Sequence, residues 1–545
     1  MNKVAHYLQE HLLGEVMTSN DAREYFSTDG GVFTVMPNMI VYPQNENDIR
    51  KTARFTWQLA ERGRVIPITA RGAGSDQAGA AVGTGIILVT PAHMNKLVDL
   101  DTRKGSVVVQ PGVNYGKLQQ TLHTHGHFLP PYPSSIEFCT LGGAVANNAA
   151  GEKTIKYGCT RDYVQGLRVV LANGEVIETR RLNKRELSKK MGLSSFEGEI
   201  YRSLDKLIEE NHDLIKGIHL DVTKNSAGYD IADVKRKDGS FDLTPLFVGS
   251  QGTLGIVSEI NFATETYNPN TVLIAAMFNE IDTAEKVVEE LRALPEMPSA
   301  LEVVDDNLLN FIDQHNPNQL KGIVDKPFHK LIVLIEFDNL SDRTRKKMSK
   351  RAIKILDKHN VEYQMETEEE AKERLWKIRH SAAAVISHTE GNSKALPIIE
   401  DGIVPLNKFG TYLEGVYEIF NKYHLKIAIW GHAGNANLHM QPFLDLSLVG
   451  DRQKVFKIID DYYSLVIGLG GSTSGEHSDG RLRAPYLKKL YGDDVYSLFG
   501  KIKQVFDPYG TMNPGVKMNV TLDDVKPLLR EEYSMEHLYD HLPKS

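Results

Sequence analysis

The amino-acid sequence predicts an α+β fold in two halves, and three observations carry that expectation. Near the amino terminus an apolar run, a helical repeat and a second apolar run follow one another as a β-α-β unit. Between strand-like segments of the first half lie three runs of small residues, at 71–79, 140–151 and 249–257. Past Pro269 the pattern becomes strand, helix, strand, helix, which suits an antiparallel sheet backed by helices. The composition allows this, since 41% hydrophobic and 25% charged residues over 545 positions can build two or more cores. A formal charge of -8 argues against nucleic acid as the main partner. Two cysteines, Cys139 and Cys159, exclude iron–sulfur clusters and a disulfide framework and point to a reducing, cytoplasmic compartment.

Taken in order, residues 1–16 scatter His6, Glu10, His11 and Glu15 among apolar positions, so they lack the core of a signal peptide and read as an amphipathic surface helix. No apolar run reaches about 18 residues, so no transmembrane helix is expected; peripheral contact with the inner face of a membrane stays open. Met39 to Pro43 is a strand, Asn45 caps a helix carrying Ile49, Ala53, Trp57 and Ala60, Gly63 ends it, and Val65 begins the next strand. The chain then enters Arg71-Gly72-Ala73-Gly74-Ser75-Asp76-Gln77-Ala78-Gly79. Small residues after a strand let consecutive backbone N–H groups turn inward and bind phosphate. The loop lacks both the Gly-Lys-Ser/Thr of a Walker loop and the Rossmann fingerprint. The runs Thr140 to Gly151 and Gly249 to Val257 bring more backbone close to something flat or extended, so the three together imply one large ligand lying along several loops. Residues 178–247 turn helical and polar, with Tyr201, Leu204, Leu207 and Ile208 at helical spacing; Tyr229 is read either as a neighbour of that ligand or as a buried tyrosine.

In the second half, Val272 to Phe278 and Leu331 to Phe337 read as strands, Thr283 to Leu294 and Leu340 to His359 as helices. The functional centre is expected at Trp430-Gly431-His432-Ala433-Gly434-Asn435-Ala436-Asn437-Leu438-His439, answered by Gly475-Glu476-His477. Two imidazoles on adjoining strands, closed by a Glu-His pair, make a metal site, a proton-transfer site, or both, because imidazole and carboxylate are ligands that zinc, manganese and iron accept.

The ordered set of Arg71 to Gly79, Val109 to Val113, Pro133-Ser134-Ser135, Leu141 to Gly151, Tyr157-Gly158, Asp162 to Val164 and Gly249 to Gly255 resembles the FAD domain of the vanillyl-alcohol oxidase and p-cresol methylhydroxylase flavoproteins. Within them the chain is most similar to the branch holding glycolate oxidase, FAD-linked D-lactate dehydrogenases and D-2-hydroxyglutarate dehydrogenase. The resemblance implies a two-lobed FAD-binding domain at 1–268, a cap domain with an antiparallel sheet at 269–500, and a segment at 501–545 returning to the FAD domain. It implies that Arg71, Gly72, Ala73, Gly74, Ser75, Asp76 and Gln77 cradle the FAD pyrophosphate. Pro111, Gly112, Pro133, Ser134, Ser135, Leu141, Gly142, Gly143, Ala146, Asn147, Asn148, Gly151, Tyr157, Gly252, Gly255, Ile256 and Val257 would line the rest of the dinucleotide, with Asn513 and Lys517 as neighbours. Ser75 stands where some members tether FAD to a histidine, so noncovalent FAD is expected. Asp76 replaces a neutral hydroxyl, and its carboxylate would repel pyrophosphate unless it points away. Asn435, Ala436 and Ser478 depart from an aspartate and two glycines of the branch, while every candidate ligand is kept.

The chemistry that follows is an FAD-dependent dehydrogenase oxidising a D-2-hydroxy acid, D-lactate-like, to the 2-oxo acid. His432, His439 and Glu476 hold a divalent cation, zinc or manganese, that lowers the hydroxyl pKa. His477 takes the proton, Arg379 and Lys394 neutralise the substrate carboxylate, and Asn437 orients it. The alternatives are a metal-free flavoprotein alcohol oxidase or alkyl-transfer enzyme of the same superfamily, and a metal-dependent hydrolase. Quinone, cytochrome and electron-transfer flavoprotein remain open as electron acceptor, as does a homodimer.

Overall fold

The computed structural model describes residues 3–315, 318, 320–387 and 392–535. Two larger sheets make most of the first half, beside a two-stranded pair of His127–Phe128 with Glu265–Thr266. Glu15–Met17 (β1), Met39–Tyr42 (β2), Ile68–Arg71 (β3) and Ile86–Val89 (β4) stand in the order β1-β2-β4-β3. β2, β4 and β3 run parallel and β1 antiparallel. The helix Glu46–Ala60 follows β2, its first turn capped by the Asn45 side chain, which accepts from Asp48 N at 3.2 Å. Ile49, Ala53 and Ala60 are buried on the sheet, and Gly63 turns the chain away at a φ of 80°. Two details differ from expectation. The second strand begins at Ile68, because Val65 is solvent-exposed, and β4 inserts between β2 and β3, so the β-α-β pair is not adjacent.

Leu97–Asp101 (β5), Ser106–Val109 (β6), Val164–Val170 (β7), Val176–Thr179 (β8) and Ile256–Ala263 (β9) form an antiparallel sheet in the order β5-β6-β9-β7-β8. Helix Phe196–Glu210 buries Tyr201, Leu204, Leu207 and Ile208 in the core beside it, with Phe241, Phe247, Phe499 and Phe506.

The second half holds a six-stranded antiparallel sheet of Val272–Phe278 (β10), Ala300–Asp305 (β11), Leu331–Phe337 (β12), Glu362–Glu366 (β13), Ile429–His432 (β14) and Asn437–Met440 (β15), in the order β13-β10-β12-β11-β14-β15. Every residue of β12 is buried, and alternate side chains enter separate cores. Leu331, Val333 and Ile335 meet helices Ile281–Arg292 and Asp342–Lys358, while Ile332 and Leu334 meet helices Asp306–His315 and Glu369–Ser387. Covered on both faces, the strand reads as an unbroken apolar run.

The chain then returns to the first half. Helix Leu487–Phe506 packs Leu498, Phe499 and Ile502 beside Tyr201, and Met512 bridges Ile68 in parallel, with Ile68 N donating to Thr511 O at 2.7 Å. No helix of the described residues is long and apolar enough to cross a membrane.

Candidate active site

A tight hairpin brings the two motif histidines together. β14 and β15 pair Trp430 with His439 and His432 with Asn437, so His432 and His439 are diagonal neighbours with ring centroids 5.2 Å apart. Ala436 closes the turn in the left-handed region at a φ of 51°, where the related pattern carries glycine.

The buried Asp401 carboxylate supplies the other half of the site. It accepts from the backbone N–H of Glu476 at 3.0 Å and of His477 at 2.8 Å, and from Ser474 Oγ at 2.6 Å. Three imidazoles consequently converge on one oxygen: His432 Nε2 lies 3.2 Å, His439 Nε2 3.1 Å and His477 Nε2 3.6 Å from Glu476 Oε1. Behind them, His432 Nδ1 is 2.7 Å from Glu302, which also accepts from Arg379 Nε at 2.9 Å. His439 Nδ1 and His477 Nδ1 lie 3.3 and 2.6 Å from Glu400 Oε2, and Glu400 pairs with the fully buried Arg483. Carboxylates hydrogen-bonded to the far nitrogens of His432 and His439 orient those two rings as imidazole ligands around a cation are oriented, and Glu400 lies beside the far nitrogen of His477 without a hydrogen bond to it.

The charge states suit such a site. Burial opposes ionisation of Glu476, but the Lys224 ammonium that pairs with it, together with His432, holds its carboxyl well below the ordinary value. Burial lowers His439 to about 4, leaving a neutral imidazole that can ligate. An anionic oxygen and the neutral His439 nitrogen suit a divalent cation, while burial would lower His432 but Glu302 and Glu476 raise it above its ordinary value, so that nitrogen gives up a proton when it ligates and the residues fit the metal on that condition.

These groups form one wall of a cavity of about 710 Å³, within the ~300–1,000 Å³ usual for ligand sites. Arg379, His380, Trp430, His432, His439, Glu476 and His477 line it from the second half. The whole Arg71 to Gln77 loop, Pro111, Pro133 to Ser135, Gly142, Gly143, Ala146, Asn147, Gly151, Gly252 and Gly255 to Val257 line it from the first. Gly252, at a φ of 72°, leaves open space where a side chain would stand, so a flat ring system can approach the backbone there. Asp76, within the lining loop, has both carboxylate oxygens engaged by the protein: Oδ2 accepts from Ala78 N at 3.0 Å and Ala80 N at 2.7 Å, and Oδ1 from Asn147 Nδ2 at 3.0 Å. With that carboxylate satisfied by internal donors, the small residues of the loop leave their backbone near the cavity, which fits a pyrophosphate.

Other expected residues are not on this wall. Gly112 packs under the loop at 90–94, its N–H donating to Met94 O at 2.8 Å, and Leu141 lies in the core. Asn148 holds Ser226 Oγ at 3.1 Å and the Arg161 N–H at 2.9 Å, and Tyr157 donates to Asp338 at 2.8 Å. Asn513 ties Thr69, Ala80 and Gln251 together, and the buried Lys517 pairs with Asp479 at 2.6 Å. Tyr229 is a buried tyrosine, bonded to Thr253 at 2.7 Å. Asn437 Nδ2 donates to Asp401 Oδ1 and the Gly402 carbonyl, at 3.3 and 3.1 Å, while its buried Oδ1 has no hydrogen-bond partner among the described residues. Lys394 pairs in a short strand with Leu444 and does not line the cavity. No sequence pattern singles out Lys224, Glu302 or Arg483; the signal available for Lys224 is its place just before the Asn225 to Asp230 turn. Glu152 and Tyr132 also line the cavity: the Tyr132 hydroxyl donates to Glu152 Oε1 at 2.8 Å, and Glu152 Oε2 lies 2.8 Å from His380 Nε2.

The family described as FAD binding domain matches residues 37–180, and that described as FAD linked oxidases, C-terminal domain, matches residues 268–516. The glycolate oxidase subunit GlcD of Bacillus subtilis (strain 168) is 30% identical over 502 residues, covering 91% of this chain and 92% of that one. The D-2-hydroxyglutarate dehydrogenase of Escherichia coli (strain K12) is 29% identical over 526 residues and covers 93% of this chain, which spans only 50% of that relative's length. Among solved structures, p-cresol methylhydroxylase with substrate bound shares the fold, with a TM-score of 0.69 at 14% identity over 96% of this chain and 97% of that one.

Proposed function

This chain belongs to the FAD-linked oxidase family, and from that membership we propose that it is a dehydrogenase converting a D-2-hydroxy acid to the 2-oxo acid. The observation that carries the reading is the convergence of three imidazole Nε2 atoms on Glu476 Oε1, on the wall of the cavity that the small-residue loops line. When bound, FAD supplies a hydride acceptor, and a divalent cation, zinc or manganese, stabilises the developing alkoxide. Arg71 to Gln77 present backbone donors to the pyrophosphate, and His432, His439 and Glu476 hold the cation. His477, with Nδ1 2.6 Å from Glu400 Oε2, removes the α-hydroxyl proton as hydride leaves C2. Arg379, aligned by Glu302, faces the carboxylate, since a guanidinium matches that group's geometry. Lys394 and Asn437 are given no part, because neither reaches the cavity wall.

A metal-free variant of the same oxidation is favoured by one observation: Lys224 already compensates the Glu476 charge. Metal analysis of the purified protein before and after chelation separates the two. The reading itself is tested by mixing holoprotein anaerobically with a panel of D- and L-2-hydroxy acids and following flavin absorbance. Bleaching by D-acids is the expected result; a flavin that no 2-hydroxy acid reduces removes the proposal.

A further inference from the structure

Two segments outside the family-matched regions meet beneath the phosphate loop. Thr34 N donates to Leu528 O at 2.8 Å, Phe33 bridges Leu529 antiparallel, and Arg530 N donates to Val32 O at 3.0 Å. The buried Arg530 guanidinium then grips backbone alone: Nε donates to Phe33 O at 3.1 Å, Nη1 to Ser534 O at 3.2 Å, and Nη2 to Asp29 O. Tyr533, whose ring centroid is 5.5 Å from that guanidinium, donates its hydroxyl to Gly30 O at 2.9 Å. Gly30 N in turn donates to Gly74 O at 2.8 Å, inside the phosphate loop. The contact admits no side chain: a Cβ on Gly30 would stand 3.0 Å from the carbonyl oxygens of Ser75 and Asp76, and one on Gly31 2.8 Å from that of Gln77. Two residues past Tyr533, Met535 is part of the cavity wall.

We propose that residues 530–535 belong to the FAD-binding apparatus, Arg530 and Tyr533 holding the Asp29–Gly31 backbone against the phosphate loop while Met535 contacts the cofactor. The inference rests on the reading that FAD fills this cavity. A nest of backbone N–H groups binds an anion well only when its conformation is held before the ligand arrives, because ordering a loop on binding costs conformational entropy. The tail supplies that restraint from below, so it sets how slowly FAD leaves.

The test uses the full chain as holoprotein, diluted into flavin-free buffer while the fluorescence of released flavin is followed. Tyr533→Phe, which removes one hydrogen bond and keeps the ring, should release FAD about fivefold faster, and Arg530→Ala more than tenfold faster. Glu531→Ala, at an exposed neighbouring position, should match the parent. Release at the parental rate from both variants overturns the proposal, even if their melting temperatures fall. Should Arg530→Ala not fold, Tyr533→Phe decides alone. A parent protein that binds no flavin at all defeats the functional reading rather than the role of the tail.

Discussion

His477 stands with Nδ1 2.6 Å from Glu400 and Nε2 3.6 Å from Glu476, at a cavity wall where the other two imidazoles are more deeply buried. It is the member of the trio with room to exchange a proton, so His477→Ala should slow anaerobic flavin reduction by about 10²–10⁴-fold with flavin content unchanged. A rate equal to the parent's would take the proton transfer away from it. The three ring residues were legible because His432 and His439 sit in one hairpin and Glu476 and His477 are consecutive. Their supports were not. Glu302 reaches His432 across 130 positions and Lys224 reaches Glu476 across 252, and no local period links residues so far apart. Asn437 lies within the motif on the same strand face as His439, yet its amide reaches Asp401 and the Gly402 carbonyl, partners that no local pattern announces.

At the scale of elements, the helix Leu141–Asn147, capped by Thr140, presents its first turn to the cavity while Gly142 lies hard against Pro111. A Cβ there would come within 2.6 Å of Pro111 Cβ and 2.8 Å of its carbonyl oxygen. Gly142→Ala should therefore displace the helix and lower the flavin-to-protein absorbance ratio of the purified chain; full occupancy would show that the helix has slack. Strands were most legible where burial is two-sided. Both Val272–Phe278 and Leu331–Phe337 were bounded to the residue, since burial of nearly every position yields an apolar run with sharp ends. The insertion of β4 between β2 and β3 could not be read, because strand order is decided by long-range packing.

Across the whole molecule, the halves are joined by charged contacts beside the cavity. His380 of the second half is 2.8 Å from Glu152 of the first, Lys153 pairs with Glu336, and Tyr157 donates to Asp338 at 2.8 Å. Burial alone would raise the Glu152 carboxyl, but His380 and Lys153 bring it to about 2; burial alone would lower His380, but Glu152 raises it above its ordinary value. The histidine's contribution is therefore complete below the ordinary imidazole pKa and fades as pH rises through the raised one, while the Glu152 contribution is lost only as pH falls toward about 2. His380→Ala should accordingly lower the melting temperature more near pH ~5.5 than near pH ~9; an equal loss at both would mean that the pair does not bind the halves together. The pairing of Ile68 with Met512, far along the chain, bears on biosynthesis. Amino-terminal units generally begin folding while translation is under way. Here the strand that leads into the 71–79 loop pairs with β4 along one edge, and its other edge stays open until residues 511–513 have left the ribosome, so the last contact under that loop closes only when nearly the whole chain has been made.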